Sequence, residues 1–343
     1  MLLHLLCHFV RVATPARRGI AQRLHIVFGW QPSGLGLAQL RVTVQRATIH
    51  ANRHAVTDHS VNPLPWSAVV LSLIVIVAAV AAAIVTLVWR GSFPDPTPDT
   101  VGNRVLAEAR GWSAATLVVA IPLAILSLGA ARCGSLRGRL VWLGTLAYFV
   151  YTYLEFSVSP PFTALYLLYV LAFACAIPAL IIGAGSINIS QLAASFGSRV
   201  PRRTVAIFSL GFALLLALAW LKGIASLTLA GSFGWPSGEA AVGHVVHALD
   251  LGLQVPLGIA AGVLLLRRRA AGLLVGAIML VNVVCMGAAL TAMVYYSSAD
   301  AGTSIWITAP FVLVWCIGVM LAVLFFRSGT CIERSDVRRQ VRP

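Results

Sequence analysis

Charge is scarce in this chain of 343 residues: Asp, Glu, Lys and Arg together make up 10% of it, against about 25% in an ordinary globular protein. Acidic residues are the rarer kind, 10 against 25 basic, and lysine occurs once, at Lys222. A chain so short of charge, with a mean hydropathy of +0.90, cannot clothe a sizeable water-soluble domain. The six cysteines, Cys7, Cys133, Cys175, Cys285, Cys316 and Cys331, have no C-x-x-C spacing and three lie inside apolar runs. They read as reduced and structural, so neither a disulfide framework nor a metal site is expected. Also absent are G-x-x-x-x-G-K-[ST], G-x-S-x-G, H-E-x-x-H and the dinucleotide fingerprint. ATP-driven transport and the common hydrolase plans are therefore unsupported, and no cofactor is implied.

What is present in abundance is apolar length. Eight runs of about twenty residues span 67–89, 113–131, 140–158, 163–183, 204–222, 243–266, 271–296 and 304–326. At 1.5 Å per residue each can cross about 30 Å of hydrocarbon, and a segment in hydrocarbon must be helical to satisfy its own backbone. The expected fold is an all-α polytopic bundle of eight transmembrane spans occupying residues 62–330, with a basic tail at 331–343.

The net charge of +15 would suit a nucleic-acid partner, but its placement follows topology instead. Arginines cluster before the first run, at Arg132, Arg137 and Arg139, at Arg199, Arg202 and Arg203, at Arg267 to Arg269, and from Arg327 to Arg342. The alternate loops hold only Arg90, Arg104, Arg110 and Lys222. The positive-inside rule then places both termini in the cytoplasm. Twenty-four arginines to one lysine, amid much Ala, Val, Leu and Gly, suggest a GC-rich coding sequence and hence a bacterial plasma membrane.

Residues 1–61 stand apart. Up to Thr57 they carry seven arginines and five of the eight histidines but no acidic residue, and they show no apolar periodicity. The apolar MLLHLLCHFV precedes the charges, the reverse of a signal peptide. Three readings stay open: a basic tail against anionic lipid, an Arg-rich transit peptide, or translation from an upstream start, with Val56 or Val61 as alternatives.

An internal repeat is visible. Prolines interrupt the even-numbered runs only, at Pro122, Pro178, Pro256 and Pro310. Ile121-Pro-Leu-Ala-Ile matches Val255-Pro-Leu-Gly-Ile at a distance of 134 residues, while Pro178 to Pro310 and Gly144 to Gly276 are each 132 apart. Two tandem four-helix repeats follow, at about 66–183 and 203–327. An even number of spans in each gives them the same orientation.

Acidic groups inside the runs are the first candidates for function, because each costs at least about 2.5 kcal/mol in the membrane. Asp250 lies about 10 Å inside the sixth run. His244, His247, Asp250 and Gln254 fall on one helical stripe about 120° wide. A His and an Asp one turn apart can share a proton. Glu155 is the second candidate, expected at the interface because its run ends at Pro160-Pro161, and Tyr148, Tyr151 and Glu155 share one face as an aromatic belt would. Asn282, at mid-depth, is expected to bond another helix. Lys222, Arg90, Arg104 and Arg110 share that end of the bundle and are available as counter-charges.

Two stretches carry a family likeness: Val141-Trp-Leu-Gly-Thr-Leu-Ala-Tyr-Phe-Val-Tyr-Thr-Tyr through Pro161-Phe162 to Leu167-Leu-Tyr-Val, and Leu249-Asp-Leu-Gly-Leu-Gln-Val-Pro on to the Arg267 triplet. They resemble a group of uncharacterised bacterial multi-pass membrane proteins over most of residues 110–330. The resemblance implies architecture and location and supplies no catalytic residue. Three functions fit: a small-solute or ion-coupled carrier or ligand sensor with an outward-facing polar cavity, an intramembrane enzyme using His247 and Asp250 on a lipid or quinone, and a membrane scaffold. The expected partners are the lipid bilayer and a small-molecule ligand, with no nucleic acid; the sequence assigns no oligomeric state.

Overall fold

A computed structural model describes residues 63–93, 101–159, 162–196, 200–229, 231 and 239–328. The expectations for the basic segment 1–61 and the tail 331–343 lie outside the described residues. The described chain forms a bundle of eleven helices: α1 (Trp66–Val88), α2 (Val101–Ala115), α3 (Ile121–Arg132), α4 (Leu136–Val158), α5 (Tyr166–Gly185), α6 (Ile189–Ser195), α7 (Arg202–Leu229), α8 (Glu239–Leu249), α9 (Val255–Leu266), α10 (Ala270–Asp300) and α11 (Ala309–Arg327). Helices α2 and α3 form one kinked rod, as do α8 and α9. Among the described residues, seven helical rods are long and apolar enough to cross a membrane. The other expected span is α4, which has the length at 23 residues. Its Tyr, Trp, Thr, Arg and Glu side chains leave it less apolar than the rest. The second rod begins earlier than the apolar run, at Val101 rather than near Ser113. Arg104 and Glu108, four residues apart, pair at 3.0 Å and support that added length.

The proline in each kinked rod explains its kink. Pro122 and Pro256 have no N–H to give the carbonyl one turn back, so the chain widens by one residue into a π-turn. These turns are Thr116–Ala120 and Asp250–Gln254. Ile121 N–H bonds the carbonyl of Thr116, and Val255 N–H that of Asp250, each across five residues.

The offset of 134 residues recurs beyond the prolines. It relates the starts of the π-turns, both ends of α3 and α9, and the first residues of α4 and α10. The turns that follow α3 and α9 share one hydrogen-bond pattern: Cys133, Gly134 and Ser135 donate to Gly129, Ala131 and Ala130, and Arg267, Arg268 and Arg269 donate to Val263, Leu265 and Leu264. Both turns put their middle residue in the left-handed region, Gly134 at φ 84° and Arg268 at φ 51°. Two of the expected matches do not belong to this repeat. Gly144 corresponds at 134 to Ile278, not Gly276, and Pro178 lies inside α5 whereas Pro310 is in the first turn of α11. The outer helices also differ, since α1 packs on α2 and α5 while α7 packs chiefly on α9.

Helix α10 is the centre of the bundle, touching α2, α4, α6, α9 and α11. Small residues allow the backbones to approach, as is usual within membranes. A Cβ on Gly144 of α4 would fall 2.4 Å from Val281 of α10, and one on Gly111 of α2 would fall 2.5 Å from the carbonyl oxygen of Ala292. Polar side chains tie the layers further: Trp142 Nε1 of α4 donates to Ser72 Oγ of α1 at 3.0 Å. The arginine turns gather at one end of the bundle, and the end reached by Glu108, Glu155 and Lys222 is here termed the polar end.

Candidate functional site

Asp250 opens the π-turn of the second kinked rod and is 6% exposed. Two donors from other helices meet it. Tyr151 Oη of α4 donates to Oδ1 at 2.7 Å, and Trp220 Nε1 of α7 donates to Oδ2 at 2.8 Å. Neither donor comes from its own helix, so the carboxylate joins three rods. Trp220 in turn packs on His247, with ring centroids 4.3 Å apart. His247 is half-buried, and His244, whose ring lies 6.4 Å from that of His247, is exposed.

The expected single stripe is split. Gln254 is buried and accepts from Asn282 Nδ2 of α10 at 2.7 Å. The extra residue in the π-turn rotates everything downstream by about 100° relative to an unbroken α-helix. Asp250 therefore meets α4 and α7, while Gln254 meets the central helix α10. Asn282 is 1% exposed, and its Oδ1 has no hydrogen-bond partner among the described residues. The expected helix-to-helix bond of Asn282 is present, and Gln254 is the partner.

The tyrosines and Glu155 are not arranged as an interfacial belt. Tyr148, Tyr151, Tyr153 and Tyr169 are all buried, and Glu155 Oε2 is a buried oxygen without a hydrogen-bond partner. Glu155 borders a cavity of about 60 Å³ at the polar end, together with Glu108, Trp112, Phe156, Ser159 and Tyr169. Glu155 as a whole is half-buried, in the last turn of α4. Lys222, one of the expected counter-charges, is exposed, and both Asp250 oxygens are taken by Tyr151 and Trp220.

Three participants escaped sequence reasoning. Trp220 lies on a mostly apolar helix with nothing to mark it as a donor to a residue 30 positions away. Tyr151 was visible on the Glu155 face, but its direction toward Asp250 depends on the crossing of α4 with the π-turn. Glu108 fell in what looked like a loop; its four-residue spacing from Arg104 was the available signal. Among the described residues no group of three or more His, Cys, Asp or Glu is placed to hold a metal ion. A second cavity, of about 390 Å³, opens between α2, α10 and α11, and its lining, which includes Val118, Thr291, Tyr295 and Trp315, contains no Asp, Glu, His or Cys.

Comparison with protein families, with curated proteins and with solved structures finds no match. The protein is thus defined by its own architecture: an integral membrane protein built as an all-α helical bundle with a buried, fully hydrogen-bonded carboxyl group at a helix kink.

Proposed function

We propose that this membrane protein is a small-solute or ion-coupled carrier, or a ligand sensor built on the same coupling, with Asp250 as its titrating element. The observation that supports this reading is the convergence of Tyr151, Trp220 and the π-turn on one carboxylate. Both donors suit an ionised acid. A proton on Asp250 removes the negative charge to which they point, and charge-assisted hydrogen bonds are about twice as strong as neutral ones. Protonation thereby loosens α4 and α7 from the kink in a single event. Such a link between charge and helix contacts is what coupling requires, because a ligand can shift a conformational equilibrium only through differential interaction with its two states.

The test uses the whole chain in proteoliposomes carrying an internal pH dye, with a panel of small solutes added outside. Solute-dependent proton movement is expected in the wild type and absent in Asp250→Asn. An Asn can accept from Trp220 and donate to Tyr151, so that variant is expected to stay folded. Proton movement unchanged in Asp250→Asn would sink the proposal. The scaffold reading has its own support in the fact that both oxygens of Asp250 are satisfied; it gains if only Asp250→Leu, which offers no hydrogen bond, has any effect.

The location proposed with this function is a bacterial plasma membrane crossed eight times, α4 included, with both termini cytoplasmic. The support is the alternation of arginine-rich and arginine-poor turns. Reporter fusions after Arg269 are expected to read cytoplasmic and fusions after Asp300 external; the opposite pair of readings would invert the topology.

A further inference from the structure

The cavity beside Glu155 differs in kind from the Asp250 contact, which is already satisfied. Among the described residues, two buried oxygens of its polar lining, Glu155 Oε2 and Ser159 Oγ, have no hydrogen-bond partner. Buried polar atoms nearly always find a partner, so an orphaned group of this size points to an occupant. The rest of the wall is aromatic. Trp112 and Phe156 meet edge to face at 6.3 Å, and Phe156 tilts against Tyr169 at 5.1 Å. Glu108 is paired to Arg104 at 3.0 Å, while the Oε2 of Glu155 meets no donor among the described residues.

A carboxylate oxygen beside hydroxyls that can accept, set among aromatic rings, favours a ligand that is positively charged and rich in donors. A primary ammonium has three N–H donors and no acceptor, and aromatic faces within about 6 Å attract it. A bare alkali ion suits the wall less well, since hard cations need a shell of oxygens and the aromatic rings supply none. Size restricts the choice further. A space of about 60 Å³ suits a small ion rather than a large solute. We infer that this cavity is a binding site for a small primary ammonium ion, held by Glu155 and Ser159 against the Trp112, Phe156 and Tyr169 rings. The inference deepens the carrier or sensor reading by naming the class of solute, and it rests on that reading for its functional meaning.

The probe is methylammonium chloride, added to the purified full-length chain in detergent and compared with sodium chloride and potassium chloride at equal ionic strength. Methylammonium is expected to raise the melting temperature in a saturable, dose-dependent way that neither alkali salt reproduces. Glu155→Gln, which keeps the shape and removes the charge, is expected to abolish the shift. Phe156→Leu retains the carboxylate and removes one aromatic wall, and it is expected to weaken binding by about tenfold, a difference of about 1.4 kcal/mol. If Glu155→Gln fails to fold, the Phe156→Leu titration decides: unchanged affinity there overturns the site. An equal response to all three salts, or none in the wild type, means the cavity holds water only and also overturns it. Asp250→Asn separates the two proposals. Methylammonium binding intact in that variant, with proton movement lost, supports both; no binding in a wild type that still moves protons refutes the ammonium site alone.

Discussion

The two kinked rods put different chemistry into the same π-turn. In the first, the π-turn opens on Thr116, whose hydroxyl gives its proton to the carbonyl of Trp112 at 2.9 Å and accepts from Tyr148 Oη at 2.6 Å. In the second it opens on Asp250, which accepts from Tyr151 and Trp220. Tyr148 and Asn282 are also counterparts at 134 residues, and each bonds the kinked rod of its own half, Tyr148 at Thr116 and Asn282 at Gln254. Geometry is thus common to both halves, while titratable character at the kink belongs to one. A neutral kink can serve as frame for a charged one only if the two are mechanically alike, and their shared boundaries and turn hydrogen bonds meet that condition.

The largest effect expected from breaking the comparison is at the kink residues themselves. Asp250→Leu leaves the buried Tyr151 hydroxyl and the part-buried Trp220 N–H unpaired, at about 1 to 3 kcal/mol for a fully buried donor, so a loss of about 3 kcal/mol is expected in reversible denaturant titration of the reconstituted protein. Thr116→Val removes one partner of Tyr148 Oη and leaves it Thr152, so it should cost no more than about 1 kcal/mol. Equal losses would mean that the two kinks are energetically interchangeable and that the charge contributes nothing special.

A smaller effect should appear at the turns that follow. Arg268 holds the left-handed conformation that Gly134 holds in the first repeat, and for a residue with a Cβ this costs about 1 to 2 kcal/mol. Arg268→Gly is therefore expected to stabilise the protein by about 1 kcal/mol, and Gly134→Ala to destabilise it by a similar amount. The same unfolding titration measures both. Destabilisation by Arg268→Gly would show that the arginine makes contacts worth more than its strain.

How much of this was legible in the sequence depended on whether the deciding force was local. The spans were legible because hydrocarbon imposes one rule on every run, and Asp250 was legible because a carboxylate there is costly wherever its partners are. The π-turns were not. A stripe drawn at 100° per residue cannot show an inserted residue, and Pro122 and Pro256 signalled a kink but not its form. For that reason His244, His247, Asp250 and Gln254 read as one face, although Asp250 and Gln254 serve different neighbours. The place of Glu155 near the end of α4 was legible, but the cavity it borders was not, because that depends on how α2 and the start of α5 pack beside it. Trp220 was invisible because its significance lies wholly in a partner on another helix.

Helix α4 carries Trp142, Tyr148, Tyr151, Thr152 and Glu155, and most of these are satisfied by Ser72 of α1, Thr116 and Trp112 of the second rod, or Asp250 of the sixth. A segment with that content cannot enter lipid cheaply alone. During biosynthesis α1 and the second rod leave the ribosome before it, so Ser72, Trp112 and Thr116 are already in place when α4 emerges. The donor to Asp250 must wait until about a hundred more residues are made, since Tyr151 and Asp250 are 99 positions apart. The carboxyl contact is consequently among the last to close, and the assembled second half, rather than α4 itself, completes it.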